Sequence, residues 1–394
     1  MKSPHSSPDR PRPLYRDPNL QIVFAATLVN VLGITGIAPA LPDIMRDLGV
    51  SPDAIGLLTA VYSLPGVAFI PLSGVIADRV GRKKLLVPSL LLFGLAGTAC
   101  AFAPDYGLLL GLRFLQGIGG APLFTLCLTL ISDLYAGERC TTAMGYDASF
   151  VNIGGTAFPA LGGALTMLGW RYAFLVSVAA LPVALFALMA LESPEPSRNR
   201  RLREYLGGVA RSARSRRFLV LSLAAVATFL VLMGTHFTYF PLLISGSFGA
   251  PSLVVGLIMA SMSAVGALTS SQLGRMGRYL TSGRMLQMSF ALMALALVLI
   301  PLAGQIWLLL VPTVIFGVGW GLNDPSRNAL YAEMAPGEHR GAYMSLTQTV
   351  VRVGHASGPM VMALVFVAGG MGGTFYAGAV ISAAMCALTI LAVK

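Results

Sequence analysis

The sequence predicts an all-α integral membrane protein, with twelve transmembrane helices arranged as two pseudo-symmetric six-helix halves. Three observations carry that expectation. Of 394 residues, 56% are hydrophobic and only 11% are charged, where soluble globular chains carry about 25% charged residues. Long apolar runs recur along the whole chain. A set of residues also repeats at a constant offset of 200. With a mean hydropathy of +0.76, too few polar side chains remain to cover a water-exposed surface. A soluble enzyme, a disordered regulator and a disulfide-stapled secreted domain are thereby excluded.

A helix needs about 20 apolar residues to cross a hydrocarbon layer of about 30 Å. Runs of that kind lie near 20–42, 54–74, 85–103, 107–132, 142–167 and 172–191. A second set lies near 218–242, 253–273, 285–303, 306–331, 342–368 and 374–393. A transmembrane barrel would show shorter segments, about 10 residues long, that alternate in polarity; these runs are continuous. Residues 1–19 read as a disordered tail, 20–191 as the first half, 192–217 as a basic linker and 218–394 as the second half. The first run exceeds a signal-peptide core and ends without a small-residue cleavage pattern, so it is expected to be retained.

Charge fixes the expected orientation. Basic residues crowd the tail, the 75–84 segment (Arg79, Arg82, Lys83, Lys84) and the linker, while the alternate loops hold only Arg46 and Arg171. By the positive-inside rule both termini and the linker are cytoplasmic, which places the chain in the inner membrane as a multi-pass protein. The net charge of +11 follows from topology, and no folded domain is left to carry a nucleic-acid-binding face. Four cysteines without a Cys-x-x-Cys pattern, and four scattered histidines, suggest neither a metal site nor a cofactor.

The repeat is visible by eye. GLLTAVYSLPG at 56–66 lines up with GLIMASMSAVG at 256–266, and LYAGERCTTAM at 134–144 with MAPGEHRGAYM at 334–344. Gly117 and Gly119 match Gly317 and Gly319, and Pro159 matches Pro359. An even number of helices per copy leaves both halves in one orientation, the parallel-repeat architecture of transporters.

Three motifs then stand out. Gly74-Val-Ile-Ala-Asp78-Arg79-Val-Gly81-Arg82-Lys-Lys lies between the second and third runs; its degraded copy at 274–284 has Arg278 for Asp78. Arg113-Phe-Leu-Gln116-Gly-Ile-Gly119 lies in the fourth run, where a buried arginine must face a partner or a wet cavity. Gly154-Gly155-Thr-Ala-Phe-Pro159-Ala-Leu-Gly162-Gly163 lies in the fifth, where proline bends a helix and glycines allow close crossing. From these elements the sequence resembles the major facilitator superfamily, in its twelve-helix drug:proton antiporter branch, from the first helix to the last. The resemblance implies rocker-switch alternating access. It makes Gly74, Asp78, Arg79, Gly81 and Arg82 a conformational latch, gives Arg113 a coupling or network role, and ties Gly155, Pro159, Gly162 and Gly163, with Pro359 in the repeat, to a helix bend found in exporters.

Polar groups within spans are candidates for function by default. Asn30, Tyr62, Gln116, Asn152, His236, Tyr239, Arg352 and His355 are expected to face the substrate cavity. Arg113, Asp147, His236 and Asp324 are candidates for proton coupling, although Asp147 and Asp324 lie nearer the span ends, where salt bridges are expected. Asp324 and Arg327, three apart on one helical face, can pair; Asp324 could equally reach Arg352. The leading expectation is proton-coupled efflux of lipophilic drug-like or metabolite compounds by a monomer among membrane lipids. The alternative is a carrier of organic anions held by buried arginines. A membrane-embedded enzyme is the distant third, because no clustered nucleophile, base or metal ligands are seen.

Overall fold

The computed structural model describes residues 14–192, 215–334 and 340–392. The body of the expected linker, most of the N-terminal tail, and residues 335–339 with Gly337, Glu338 and His339 lie outside them. The described chain forms α1 (Pro18–Asp47), α2 (Leu57–Val80), α3 (Arg82–Cys100), α4 (Tyr106–Leu134), α5 (Gly137–Thr166) and α6 (Trp170–Ala190). It continues with α7 (Arg216–Phe248), α8 (Ser252–Ser271), α9 (Ser282–Leu302) and α10 (Ile306–Met334). The last helical stretch, Arg340–Ala392, is divided by non-helical Gly370 into α11 (340–369) and α12 (371–392).

Nine stretches among the described residues are long and apolar enough to cross a bilayer, one of them containing both α11 and α12. Of the two remaining helices, α2 runs uncharged from Leu57 to Ala77, and α5 is less apolar because it carries Glu138, Arg139, Asp147 and Asn152. Twelve spans result, as expected.

Local chemistry shapes several of them. Asp17 caps the start of α1 through the Asn19 amide at 3.0 Å, and Asp105 caps α4 through Leu108 at 2.9 Å, satisfying N–H groups that have no helical partner. The first span tightens into a 3-10 turn at Ala38–Ala40, around Pro39 and just before Pro42. In α4 the regular helix is interrupted between Gly120 and Leu123, at Pro122. In α7 the helix widens into a π-helical segment, Leu232–Tyr239, just before Pro241; proline withholds a backbone donor and crowds the preceding turn.

One expected boundary moves. The 75–84 segment, read above as a loop, is helical up to Val80 and again from Arg82, with Gly81 alone at φ 105° between them. The polar end of α2 extends as helix past the apolar run because its residues carry no helix breaker before that glycine.

The helices fall into two groups. In the first, α1 packs on α5 and α6, α3 on α4 and α6, and α2 on α4. In the second, α9 packs on α10 and α12, α8 on α10, and α7 on α11. The groups meet through α5 against α8 and α2 against α11, a pair of contacts that the 200-residue offset exchanges. Pro159 of α5 lies against Gly256 of α8, and Pro359 of α11 against Gly56 of α2, so one contact is built twice.

The cores show which side is closed. Toward the basic loops, two separate apolar cores occur, one per half. At the opposite ends of the helices a single core runs through both halves, from Ile37, Leu41, Ile55 and Trp170 to Phe237, Tyr239, Phe240 and Met259. Ser252 at the start of α8 donates a hydrogen bond to Asp43 at the end of the first span on that closed side. The cleft between the halves therefore opens toward the basic loops.

Candidate functional site

The polar groups of the first half form two networks. Arg113 of α4 is buried at 2% exposure. Its guanidinium donates to Gln116 Oε1 at 2.7 Å and to the Gly33 carbonyl at 3.2 Å, and lies 4.2 Å from the centre of the Tyr62 ring. Gln116 in turn donates to Ser177 Oγ at 3.1 Å. Tyr62 turns into this bundle, between Gly33 of α1 and Gly120 of α4, and its hydroxyl has no hydrogen-bond partner among the described residues. Asn30 donates to the Gly120 carbonyl at 2.9 Å, beside the interruption in α4. Asn30, Tyr62, Gln116 and Arg113 are thus gathered inside the first half.

The second network corrects an expectation. Asp147, read as a salt-bridging group, forms no ion pair among the described residues; it is buried at 1% exposure and accepts a hydrogen bond from Thr27 at 2.7 Å. Among the described residues the carboxyl group is thus held by a hydroxyl alone, in a medium that penalises charge. Asp324 keeps its expected partner: it ion-pairs with Arg327 and accepts from Asn328 at 3.1 Å. Arg352, offered as an alternative partner for Asp324, is not joined to it.

In the second half, Arg327 is buried and also donates to Asn323 at 3.2 Å; Asn323 in turn donates to Ser289 at 2.8 Å. Phe229 is flanked by Arg327 at 5.2 Å and by the His355 ring at 4.5 Å. Arg352 and His355 are both buried in α11, one turn apart. His236 lies in the π-helical segment, stacked between Phe240 and Phe316 with centroids at 5.2 and 5.6 Å. Tyr239 stacks on Phe366 at 5.3 Å. Among the described residues neither His236 Nε2 nor the Tyr239 hydroxyl has a hydrogen-bond partner. Asn152, the repeat counterpart of Arg352, is half-buried in α5.

The motif residues spread over both ends of the cleft. A side chain on Gly74 would touch nothing among the described residues, Arg79 is exposed, and Arg82 ion-pairs with Asp133 at the end of α4; the Asp78 side chain lies outside the described part. The helix-bend residues sit at the closed end. Gly163 abuts the Ser252 carbonyl of the other half, Pro159 abuts Gly256, and Gly162 abuts Gly36 within its own half. A side chain on Gly155 would come into contact with Ser263 of α8.

Several of these partners escaped the sequence reading. Gly56 and Gly256 could have been found, since they open the two aligned copies of the repeat. Asp133 has an acidic counterpart in Glu333, which pairs with Arg217 at 3.5 Å, so the repeat marked that position too. Thr27, Asp43 and Ser252 carried no signal.

Two bundles of membrane helices, joined at one end and cleft at the other around buried polar groups, define a membrane carrier. The chain belongs to the Major Facilitator Superfamily, whose sequence profile matches residues 23–279 and 224–394. The family is one of transporters that move small molecules, not of enzymes, and the relatives place the chain in its drug-transporter branch. It is 25% identical over 351 residues to Multidrug resistance protein 1 of Bacillus subtilis, covering 88% of this chain and 89% of that one. It is 35% identical over 164 residues to the bacillibactin exporter of the same organism, a match spanning 40% of each chain. Among solved structures, the nucleoside transporter NupG superposes with a TM-score of 0.80 at 14% identity, over 96% of this chain and 100% of that one. A bacterial homologue of the human lysosomal transporter Spinster gives 0.78 at 18% identity, over 96% of each chain. At those identities the likeness speaks for the fold.

Proposed function

We propose that this protein exports lipophilic drug-like or metabolite compounds in exchange for protons, by rocker-switch alternating access. The observation that carries the reading is the asymmetry of the cleft. Its two halves share one core at one end and hold separate cores at the other, which is one of the two end states of a pair of tipping bodies. The bodies are residues 20–191 and 218–394, joined by the 192–217 linker, with residues 1–19 a tail. The basic loops, both termini and the open mouth face the cytoplasm by the positive-inside rule, so a compound enters from inside and leaves when the closed end parts. The setting is an inner membrane, with a monomer among lipids. The relatives named for multidrug resistance and for bacillibactin export support an outward direction.

Protons are assigned to Asp147. A carboxyl buried in the first half beside Thr27 has no cation to hold it charged among the described residues, so protonation and release there are coupled to how well α1 and α5 pack. Arg113, His236 and Asp324 are weaker candidates. Arg113 keeps its proton at any working pH, and Asp324 is held by Arg327.

The test is efflux of ethidium from proteoliposomes under an imposed pH gradient. Efflux should follow the gradient and collapse with a protonophore. Flux that ignores the protonophore removes proton coupling, and accumulation in the opposite sense removes export.

A further inference from the structure

The cleft is short of negative charge in a specific place. Arg352 is 7% exposed, and the stem of its side chain fills the space that a side chain on Gly66 of α2 would take. It therefore sits where the two halves meet. Among the described residues its guanidinium forms no salt bridge, and the Tyr62 hydroxyl is its nearest electrostatic partner. The Asp324 carboxylate is already taken by Arg327 and Asn328, and the Asp147 carboxyl is bonded to Thr27. Arg113, the other cation within electrostatic reach of Tyr62, is bonded to Gln116 and to backbone carbonyls, and so adds a second charge without a counter-charge.

His355, one turn from Arg352, repeats the deficit. It is 6% exposed, and among the described residues neither of its ring nitrogens has a partner. Its ring leans on Phe229, which meets Trp320 edge-on at 5.5 Å. The buried ring nitrogens of His355 thus remain unmet beside an aromatic wall on α11, and a donor left unmet in a dry site is costly. The guanidinium fork matches the two oxygens of a carboxylate or sulfonate.

Resting on the carrier reading above, we infer that the cleft takes amphipathic organic anions, the acidic group bound by Arg352 with His355 as a second donor, and the apolar body against Phe229 and Trp320. Arg352 is then the residue that selects substrate. A neutral or cationic compound of the same shape leaves the guanidinium unpaired.

The test uses the full-length protein in phosphatidylcholine nanodiscs, where no lipid headgroup supplies a net negative charge. Three anions (cholate, salicylate and 1-naphthalenesulfonate) are titrated against methyl cholate, salicylamide and tetraphenylphosphonium, with binding read by calorimetry. At least one anion should bind tenfold or more tightly than its uncharged counterpart and than the cation. Arg352→Gln should erase that preference, and Arg352→Lys should keep part of it. Equal binding of anions and their uncharged counterparts by the wild-type protein, or an undiminished preference in Arg352→Gln, overturns the inference. If Arg352→Gln does not fold, the wild-type comparison and Arg352→Lys decide it. Loss of the anion response on moving to phosphatidylglycerol nanodiscs would assign the site to a lipid headgroup and overturn it as well. Flux in proteoliposomes separates the two readings. A protein that moves ethidium but shows no anion preference loses this inference and keeps its carrier role, whereas one that binds anions and moves nothing loses the carrier role.

Discussion

At the scale of single residues, the buried charges have unequal partners. Arg327 has a carboxylate, Arg113 has a fork of neutral acceptors and an aromatic face, and Arg352 has neither. A charged side chain at mid-bilayer costs about 2.5–3.5 kcal/mol on insertion scales, so these differences point to different duties. Asp147 leads to the sharpest test. Asp147→Asn keeps the shape and the bond to Thr27 but carries no titrating proton, so proton-driven efflux should fall at least tenfold while substrate exchange without a gradient persists. Retained gradient-driven efflux would remove Asp147 from coupling. In the 74–82 motif, Asp78→Asn should slow transport several-fold without weakening binding; full transport rates in that variant would contradict a latch there.

At the scale of helices, departures from regularity cluster where the chain must bend or part. Gly370 separates α11 from α12 at φ 66° and ψ −166°, a region open essentially to glycine, where another residue costs about 1–3 kcal/mol. Gly370→Ala should lower stability by that amount in thermal unfolding. Gly370→Asn should do no better, because asparagine tolerates the left-handed helical region and not this one; rescue by asparagine would show that the turn had rearranged. The π-helical segment 232–239 places His236 among Phe237, Phe240 and Phe316. Such segments often mark functional positions. The sequence announced Pro241 but not the direction in which the preceding turn would relax.

At the scale of the molecule, closure of one end rests on backbone meeting backbone across the two halves. A methyl on Gly256 would land on the Pro159 carbonyl, and one on Gly163 on the Ser252 carbonyl. Gly256→Ala should therefore shift the population toward the state open at this end, read as increased labelling of a cysteine introduced at Ser252 by a membrane-impermeant maleimide from that side. Unchanged labelling would mean that the helices slide to absorb the methyl. A cysteine pair replacing Asp43 and Ser252, whose side chains are hydrogen-bonded, should stop transport when oxidised and restore it when reduced. Transport by the cross-linked form would mean that this end need not open.

The sequence by itself determined the class, the number of spans and the doubling, because these depend on local quantities. Apolar length sets the spans, and the matched positions at 56–66 and 256–266 expose the repeat. It also marked Pro159, Gly163 and Arg113, since glycine, proline and buried arginine are conspicuous in an apolar run. Only the tertiary structure decided what those residues meet. That Asp147 faces Thr27, that Arg82 reaches Asp133 and that Ser252 bonds Asp43 are matters of how helices distant in sequence rotate and cross. Many rotations bury the same apolar area, so composition leaves the choice open until packing across α1, α5 and α8 removes it.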